Sequence, residues 1–518
     1  METNKYNIIQ KYQNFLKKHD FLLAFAMGIL LNIVFPPTFL VFLIPPIICS
    51  LIYLCLNSTT KIQVFKVGWS FGVGHFIICF YWVFYALWMK GDSIILNIIL
   101  FLVALSLYAV IYGTLFTLTF LTKNYPKIVS ISSFSILWGI CELLRSHFIF
   151  PTPWNLIGYS FGFSDILIQG ASIFGIYGLG IIIIFVSSLF YLKNTKATFS
   201  ALAILVVMIL FGVLNLKSYQ ISYFPNSKFR IIQPNISQKE KNNPENKKQI
   251  IKAHVDLSIK DRSQDLRYII WPENSLPYEI EEQSIWFDSL KRMVPVNGLL
   301  IFGVTEKVIK KEKVDKLFNS LFILDENGEN LEKYQKYNLV PFGEYIPLKS
   351  LFPFLKTVTQ SDSKYISQGK KKIVDLPLLP KFQPSICYDT AFTFYGFSKE
   401  NYPEFILNIT NDAWFGNSSA PYQSLTQSKV RAIEYGISVI RSANTGISAV
   451  IAPNGKVINE IGLNQYGFID SNIPKPRKVK TIYSEYGIFA LFLVYFSILL
   501  PALVVIIKNK DIKKLKFN

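Results

Sequence analysis

Of the five cysteines in the chain, only Cys387 lies in a polar stretch, whereas Cys49, Cys55, Cys79 and Cys141 lie in or at the edge of long apolar runs. A lone thiol in an oxidising compartment is buried, paired between chains or reactive. A reactive thiol needs a base, most often histidine. Residues 217 to 483 contain a single histidine, His254, within a lysine- and aspartate-rich helical pattern that reads as surface. Ser-His-Asp and Cys-His chemistry are therefore poorly supported. One His and one Cys also fall short of the usual zinc ligand set, and no metal or cofactor is expected.

Carboxylates and lysine must then handle the protons, and three local sequences supply them. Ile270-Trp-Pro-Glu-Asn-Ser-Leu-Pro277 places Glu273 after an expected strand and a proline that ends its ladder. Tyr334-Gln-Lys-Tyr-Asn-Leu-Val-Pro-Phe-Gly-Glu-Tyr-Ile-Pro347 sets Lys336 and Glu344 around an aromatic turn. Ile386-Cys-Tyr-Asp389 puts Cys387 at the end of an apolar strand. Singly, these residues also read as a loop Glu, a surface Lys and a buried thiol.

Together, in the order Glu, Lys, Cys, they resemble the nitrilase superfamily. Trp271-Pro-Glu-Asn274, Lys336 with Leu339-Val-Pro-Phe-Gly-Glu-Tyr345, Cys387-Tyr388 and Asn411-Asp-Ala-Trp-Phe-Gly416 resemble more closely its apolipoprotein N-acyltransferase branch. The resemblance covers nearly the whole chain and implies a nitrilase-like αββα sandwich flanked by membrane spans. It implies Cys387 as nucleophile, Glu273 as general base and Lys336 as the cation beside the reacting carbonyl. Lys336 and the backbone N–H of Tyr388 would then stabilise the tetrahedral oxyanion.

Glu344 matches the family's additional carboxylate, placed to orient Lys336 or tune Glu273. Asp389 stands where the family commonly has Glu, keeping the charge on a side chain one methylene shorter. Trp414 and Phe415 are candidates for the acyl pocket, with core packing as the other reading. The implied donor is a phospholipid, the implied acceptor the α-amine of a diacylglyceryl-cysteine at a lipoprotein N-terminus, and the implied intermediate a Cys387 thioester.

The elements that must position these residues follow from composition. The chain is 51% hydrophobic and only 17% charged, beyond an ordinary soluble domain. Apolar runs near 20–35, 38–56, 67–89, 94–121, 128–146, 167–192, 197–216 and 484–507 predict eight spans. Asn32 falls in the first, and Pro45-Pro46 is expected to interrupt the second. The expected division is a membrane domain over 1–216, a catalytic domain over 217–483, and a final span with a basic tail over 484–518.

The net charge of +19 does not indicate nucleic acid, because much of the excess flanks the apolar runs. Lys5, Lys11, Lys17 and Lys18 precede the first run, and Lys508, Lys510, Lys513, Lys514 and Lys516 follow the last. Lys61, Lys66, Lys123, Lys127, Lys193 and Lys196 fall on the same side in an eight-span topology, with little beyond Lys90 and Arg145 opposite. This asymmetry predicts cytoplasmic termini, an inner-membrane location and an extracytoplasmic 217–483 domain. The first run lacks a small-residue cleavage site and reads as an anchor that is retained.

Within 217–483, strands are expected at 229–232, 268–271, 298–304, 321–324, 385–388, 405–409 and 447–452. Helical patterns run over 242–263, 281–294 and 422–438, giving a layered α/β arrangement. Hairpin turns are expected at Asp325-Glu-Asn-Gly328 and Pro453-Asn-Gly455. Two other functions account for parts of the pattern. A carbon-nitrogen hydrolase gains little from eight spans. A transporter would leave ionisable groups in the helical bundle, where Glu142 and His75 are the main candidates, and Glu142 lies three residues from Arg145 as an interfacial pair near a span end.

Overall fold

The computed structural model describes residues 19–89, 94–148, 151–281, 286–310, 313–341, 343–345, 365–367, 371–393, 397 and 401–515. Lys5, Lys11, Lys17, Lys18, Lys90, Phe342 and Lys516 lie outside the described residues. Among the described residues the chain divides into two compact units. One takes Met1–Phe84, Ser93–Leu214 and Tyr486–Asn518, the other Tyr85–Asp92 and Asn215–Glu485.

Among the described residues the regular elements of the first unit are helices, and six helical segments are long and apolar enough to cross a membrane: Lys61–Cys79, Phe101–Phe120, Lys127–His147, Leu167–Leu192, Thr195–Lys217 and Phe489–Lys508. Two shorter apolar segments, Asp20–Val34 and Val41–Asn57, coincide with the first two expected runs. Pro45 and Pro46 do not interrupt the second helix. They fall in the first turn of Ile44–Asn57, where a missing N–H costs nothing. The third expected span is also divided, into Lys61–Cys79 and a separate Trp82–Met89.

The Glu142–Arg145 pair lies near the end of its span, as expected, but it is packed inside the protein. Both side chains are buried, 3.8 Å apart, at the end of Lys127–His147. Arg145 donates to the carbonyls of Trp154 at 2.7 Å and Asn155 at 3.0 Å, while Glu142 accepts the Ile157 N–H at 2.8 Å. The pair thus ties residues 152–157 into the bundle. His75 is likewise buried, stacked on Phe71 and bonded to Asn32. Both residues named as transport candidates are thus bonded to neighbouring groups of the bundle.

Among the described residues the second unit has twelve strands: β1 (Tyr223–Gln233), β2 (Tyr268–Ile270), β3 (Leu299–Lys310), β4 (Lys313–Leu324), β5 (Asn330–Gln335), β6 (Val374–Leu376), β7 (Leu379–Ile386), β8 (Phe405–Thr410), β9 (Ser438–Ala443), β10 (Ser448–Ile451), β11 (Val457–Ile461) and β12 (Gly467–Pro474). They form two six-stranded sheets in the orders β12-β1-β2-β3-β4-β5 and β11-β10-β9-β8-β7-β6. Each sheet has a parallel centre, β1-β2-β3 in one and β7-β8-β9 in the other, with antiparallel flanks.

Side chains alternate between two interiors, as period-2 geometry requires. Leu299 and Ile301 join Phe382, Leu407 and Ile440 between the sheets. Leu300 and Phe302 turn outward to the layer that includes Leu257 and Leu290. On the other sheet, Ile406 and Val439 pack outward with Ala432 and Tyr435 of helix Ala420–Tyr435. The result is helix on sheet on sheet on helix, the expected αββα sandwich. The expected turns occur with Gly328 and Gly455 at φ of 84° and 83°.

His254 departs from expectation. It is buried against Trp271, ring centroids 5.0 Å apart, with its Nδ1 2.8 Å from the Ile250 carbonyl. Burial pulls its pKa down to about 3, so it stays neutral at working pH.

A buried ion pair sits under the second sheet. Arg441, in the middle of β9, donates to Asp412 at 2.7 Å and to the Ile447 carbonyl at 3.1 Å. Arg441→Ala would strand the Asp412 charge, a loss of about 3–5 kcal/mol. In a domain of this size that lowers the unfolding midpoint by at least about 6 °C. A thermal melt of the full-length protein in detergent, followed by tryptophan fluorescence, checks this, and an unchanged midpoint would refute it.

Candidate active site

The site residues lie beyond the carboxyl ends of the parallel strands, where open α/β sheets place their ligands. Glu273 follows β2, Cys387 follows β7 and Asn411 follows β8; Lys336 follows β5 on the flank. Strand alternation explains the inward aim of Lys336, since Tyr334, two residues earlier, belongs to the intersheet core. Gly303 lets the Glu273 turn lie on β3, because a Cβ there would stand 2.6 Å from the Glu273 Cα.

Glu273 and Lys336 are buried. The Lys336 ammonium lies 2.9 Å from Glu344 and 3.7 Å from Glu273, so one cation faces two carboxylates. Asn319 braces both acids, donating from Nδ2 to Glu273 Oε1 at 2.6 Å and to Glu344 Oε1 at 3.1 Å. The other Glu273 oxygen accepts the Asn411 N–H at 2.7 Å, and the other Glu344 oxygen accepts the Val340 N–H at 2.9 Å. Burial draws the Lys336 pKa down, but Glu344, Glu273 and Cys387 together lift it above the ordinary lysine value. Lys336 is therefore a permanent cation.

Cys387 begins a short 3-10 turn, Cys387–Ala391, with its own φ at 49°, in the left-handed region that non-glycine residues seldom occupy. Such backbone marks a side chain held in a fixed direction. Asp389 supplies the restraint: it accepts the N–H groups of Asn338 at 2.7 Å and Ile386 at 3.1 Å, and the Tyr334 hydroxyl at 3.1 Å. Its shorter side chain therefore spans from the nucleophile turn to the residues that follow β5. Tyr388 is buried edge-on against Phe392.

Burial first, then the Glu273 charge, raises the Cys387 thiol above its ordinary pKa, with Lys336 pulling the other way and Asp412 adding to the rise. The resting thiol is thus protonated. Attack requires a base that removes the proton as the new bond forms, and the Glu273 carboxylate, held on two sides, is arranged for that.

The structure thus gathers Glu273, Lys336, Glu344, Cys387 and Asp389 into one cluster. Trp414 lines a cavity of about 340 Å³ with Lys241, Asn274 and Asn411, and both Trp414 and Phe415 are half-buried, unlike core aromatics. Sequence reasoning passed over Asn319 and the backbone role of Asn411. The available signal for Asn319 was its register: it shares a strand face with Leu321 and Ile323, both in the intersheet core.

Residues 27–189 match the family model described as Apolipoprotein N-acyltransferase N-terminal domain. Residues 228–480 match the one described as Carbon-nitrogen hydrolase. The apolipoprotein N-acyltransferase of Rickettsia typhi is 35% identical over 498 residues, covering 92% of this chain and 97% of its own. The chain belongs to the apolipoprotein N-acyltransferase family. A second relative of that name, from Rickettsia prowazekii, is 34% identical over 506 residues, covering 94% of this chain and 98% of its own. Among solved structures, Saccharomyces cerevisiae Nit3, a member of branch 10 of the nitrilase superfamily, aligns with a TM-score of 0.36 at 18% identity, over 51% of this chain and 96% of that one. The protein is an acyltransferase and a membrane protein, and its second unit has the nitrilase-like sandwich.

The charges around Cys387 make a signed prediction. Iodoacetamide reacts with the thiolate, so its rate climbs with pH until the thiol has titrated. With the thiol raised, the climb in the wild type should continue past the ordinary value of 9.0. Glu273→Gln removes a charge that raises the thiol and should move the profile to lower pH. Lys336→Met removes one that lowers it and should move the profile to higher pH. Shifts in the reverse order would refute the arrangement.

Proposed function

We propose that the protein transfers an acyl chain from a phospholipid to the α-amine of the diacylglyceryl-cysteine at the N-terminus of an apolipoprotein, through a thioester on Cys387. The observation that carries this reading is the buried cluster of Glu273, Lys336 and Glu344 beside a thiol, in a chain whose relatives carry that acyltransferase name. In the first half-reaction the Cys387 sulfur attacks the ester carbonyl while Glu273 takes the thiol proton. The oxyanion is stabilised by Lys336 and the Tyr388 N–H, and loss of one such donor costs about 100- to 1000-fold in rate. Collapse expels the lysophospholipid alkoxide, which recovers the proton from Glu273.

In the second half-reaction the acceptor amine attacks the thioester, Glu273 takes an amine proton, and collapse leaves the amide and returns the proton to sulfur. Glu344 holds Lys336, Asp389 holds the nucleophile turn, and Trp414 and Phe415 contribute to substrate binding. The three-part division at 216/217 and 483/484 belongs to the same proposal. So does the topology, with the chain in the inner membrane, both termini cytoplasmic and residues 217–483 periplasmic, supported by the lysine asymmetry.

Two experiments test this. Wild-type protein given phospholipid alone should gain one acyl chain on Cys387, release lysophospholipid once and stall, and a diacylated lipopeptide should then take the chain onto its amine. Cys387→Ser should be inactive, since a hydroxyl is far less acidic than a thiol. Acylation of the lipopeptide by Cys387→Ala would end the covalent mechanism. For topology, a cysteine introduced within 239–248 should react with an impermeant reagent added to spheroplasts, and its protection would reverse the orientation.

A further inference from the structure

A chain of side-chain amides runs from the second sheet to the cavity beside the Glu273 turn, and its polarity is fixed at the inner end. Asn444 Oδ1 accepts the Ile236 N–H at 3.1 Å, and its Nδ2 donates to the Ile236 carbonyl at 2.7 Å. A backbone N–H only donates and a carbonyl only accepts, so this amide has one orientation. Its Nδ2 also meets Asn411 Oδ1 at 2.8 Å, which makes Asn411 donate onward to Gln238 Oε1 at 3.1 Å. Gln238 donates in turn to Asn242 Oδ1 at 2.9 Å. Each side-chain oxygen along the chain is thus occupied from the inside.

Asn411, Gln238 and Asn242 all line the cavity of about 340 Å³, and so does Lys241. Lys241 donates to the Asn274 carbonyl at 2.9 Å, its one hydrogen bond among the described residues, although an ammonium carries three N–H groups. Burial pulls its pKa down to about 8, with the Glu273 charge opposing. Asn274 Oδ1 is occupied as well, by the Thr305 hydroxyl at 3.2 Å. Glu279, the one carboxylate in the lining among the described residues, is exposed, where solvent and salt screen it. The cavity therefore offers donors and an under-compensated cation, and matches a ligand made of anionic oxygens. A peptide would bring N–H donors, which cannot pair with the Lys241 ammonium, itself a donor only.

We propose that this cavity binds a phosphodiester, that of the acyl-donor phospholipid, with Lys241 as its counter-charge and Asn242 as the terminal donor of the amide chain. The proposal rests on the phospholipid-donor reading. It adds a link between head group and chemistry, because Asn411 both carries the amide chain and holds Glu273 through its backbone N–H.

The test follows Cys387 acylation by intact mass in full-length protein, with diacyl phosphatidylethanolamine or the neutral ester p-nitrophenyl palmitate as donor. A charge-assisted hydrogen bond is worth about tenfold in binding. Lys241→Gln should therefore raise the half-saturating phospholipid concentration about tenfold, with a several-fold smaller effect on the neutral ester, and Lys241→Arg should recover most of the loss. Equal loss with both donors would make Lys241 a support for Glu273 and overturn the proposal. Normal acylation with slowed transfer to a lipopeptide would make the cavity a peptide site and overturn it too. Glycerophosphoethanolamine should compete with phospholipid, whereas equal competition by inorganic phosphate would assign the cavity to free phosphate and reject the lipid. Wild-type acylation by the neutral ester but never by phospholipid would reject the donor reading itself.

Discussion

The site depends on one buried cation held between two carboxylates. Without Lys336, the buried Glu273 carboxylate and Glu344 would share Asn319 with no counter-charge between them. With Lys336 in place the two buried acids face a common cation, 3.7 Å from Glu273 and 2.9 Å from Glu344. The cation is in turn fixed by the fold. Its backbone N–H donates to the Asn319 carbonyl at 2.8 Å, so the residue that braces the acids also sets the height of the lysine on the sheet. Charge placement and strand pairing are thus one constraint, and the intersheet core of Tyr334, Leu321 and Ile386 keeps the strands from slipping against it.

Cys387 is restrained by a different device. A left-handed Cys387 is an unfavourable backbone state, and it persists because Asp389 draws donors from both sides of the turn. Burial makes the Asp389 carboxyl harder to ionise, while Asn338 and Lys336 favour its charged form. Asp389 thus couples the nucleophile turn to the segment that carries Lys336, although it lies apart from the proton-transfer pair. A thiol held protonated by burial and by Glu273 is unreactive toward stray electrophiles until a carbonyl sits close enough for concerted proton removal.

Legibility in the sequence tracked burial. The expected strands were central or near-central in their sheets, where both faces are covered and the chain reads as an unbroken apolar run. The four sheet edges, β5, β6, β11 and β12, escaped notice, because edge strands carry polar residues such as the Asn-Leu-Glu-Lys-Tyr-Gln of β5. Strand β9 was hidden by Arg441, whose charge is balanced only by a tertiary partner, Asp412. His254 was misjudged for the opposite reason, since the charged pattern around it describes the outer face of a helix whose inner face packs on Trp271. Among site residues, Glu273, Lys336 and Cys387 stood out by type and neighbourhood. Asn319 and the Asn411 N–H did not, because their roles exist only once β4 and β8 bring them to Glu273.

The same geometry bears on why a hydrolase scaffold can serve acyl transfer. Glu273 is anchored by a backbone N–H on one oxygen and a side-chain amide on the other, so it has little freedom to swing between a position for the thiol and a position for a second nucleophile. On the proposed mechanism the base therefore acts from one place in both half-reactions, and the incoming nucleophile must come to it. Water and an amine would meet the same carboxylate at the same distance, so the catalytic cluster cannot select between them. Selection must lie in what occupies the approach to Glu273 once the acyl group is on sulfur. That approach is shaped by the loops carrying Asn274 and Trp414 and not by the acid, the lysine or the thiol. On that mechanism, divergence between hydrolysis and transfer is a matter of these loops, while the buried charge arrangement is free to stay the same.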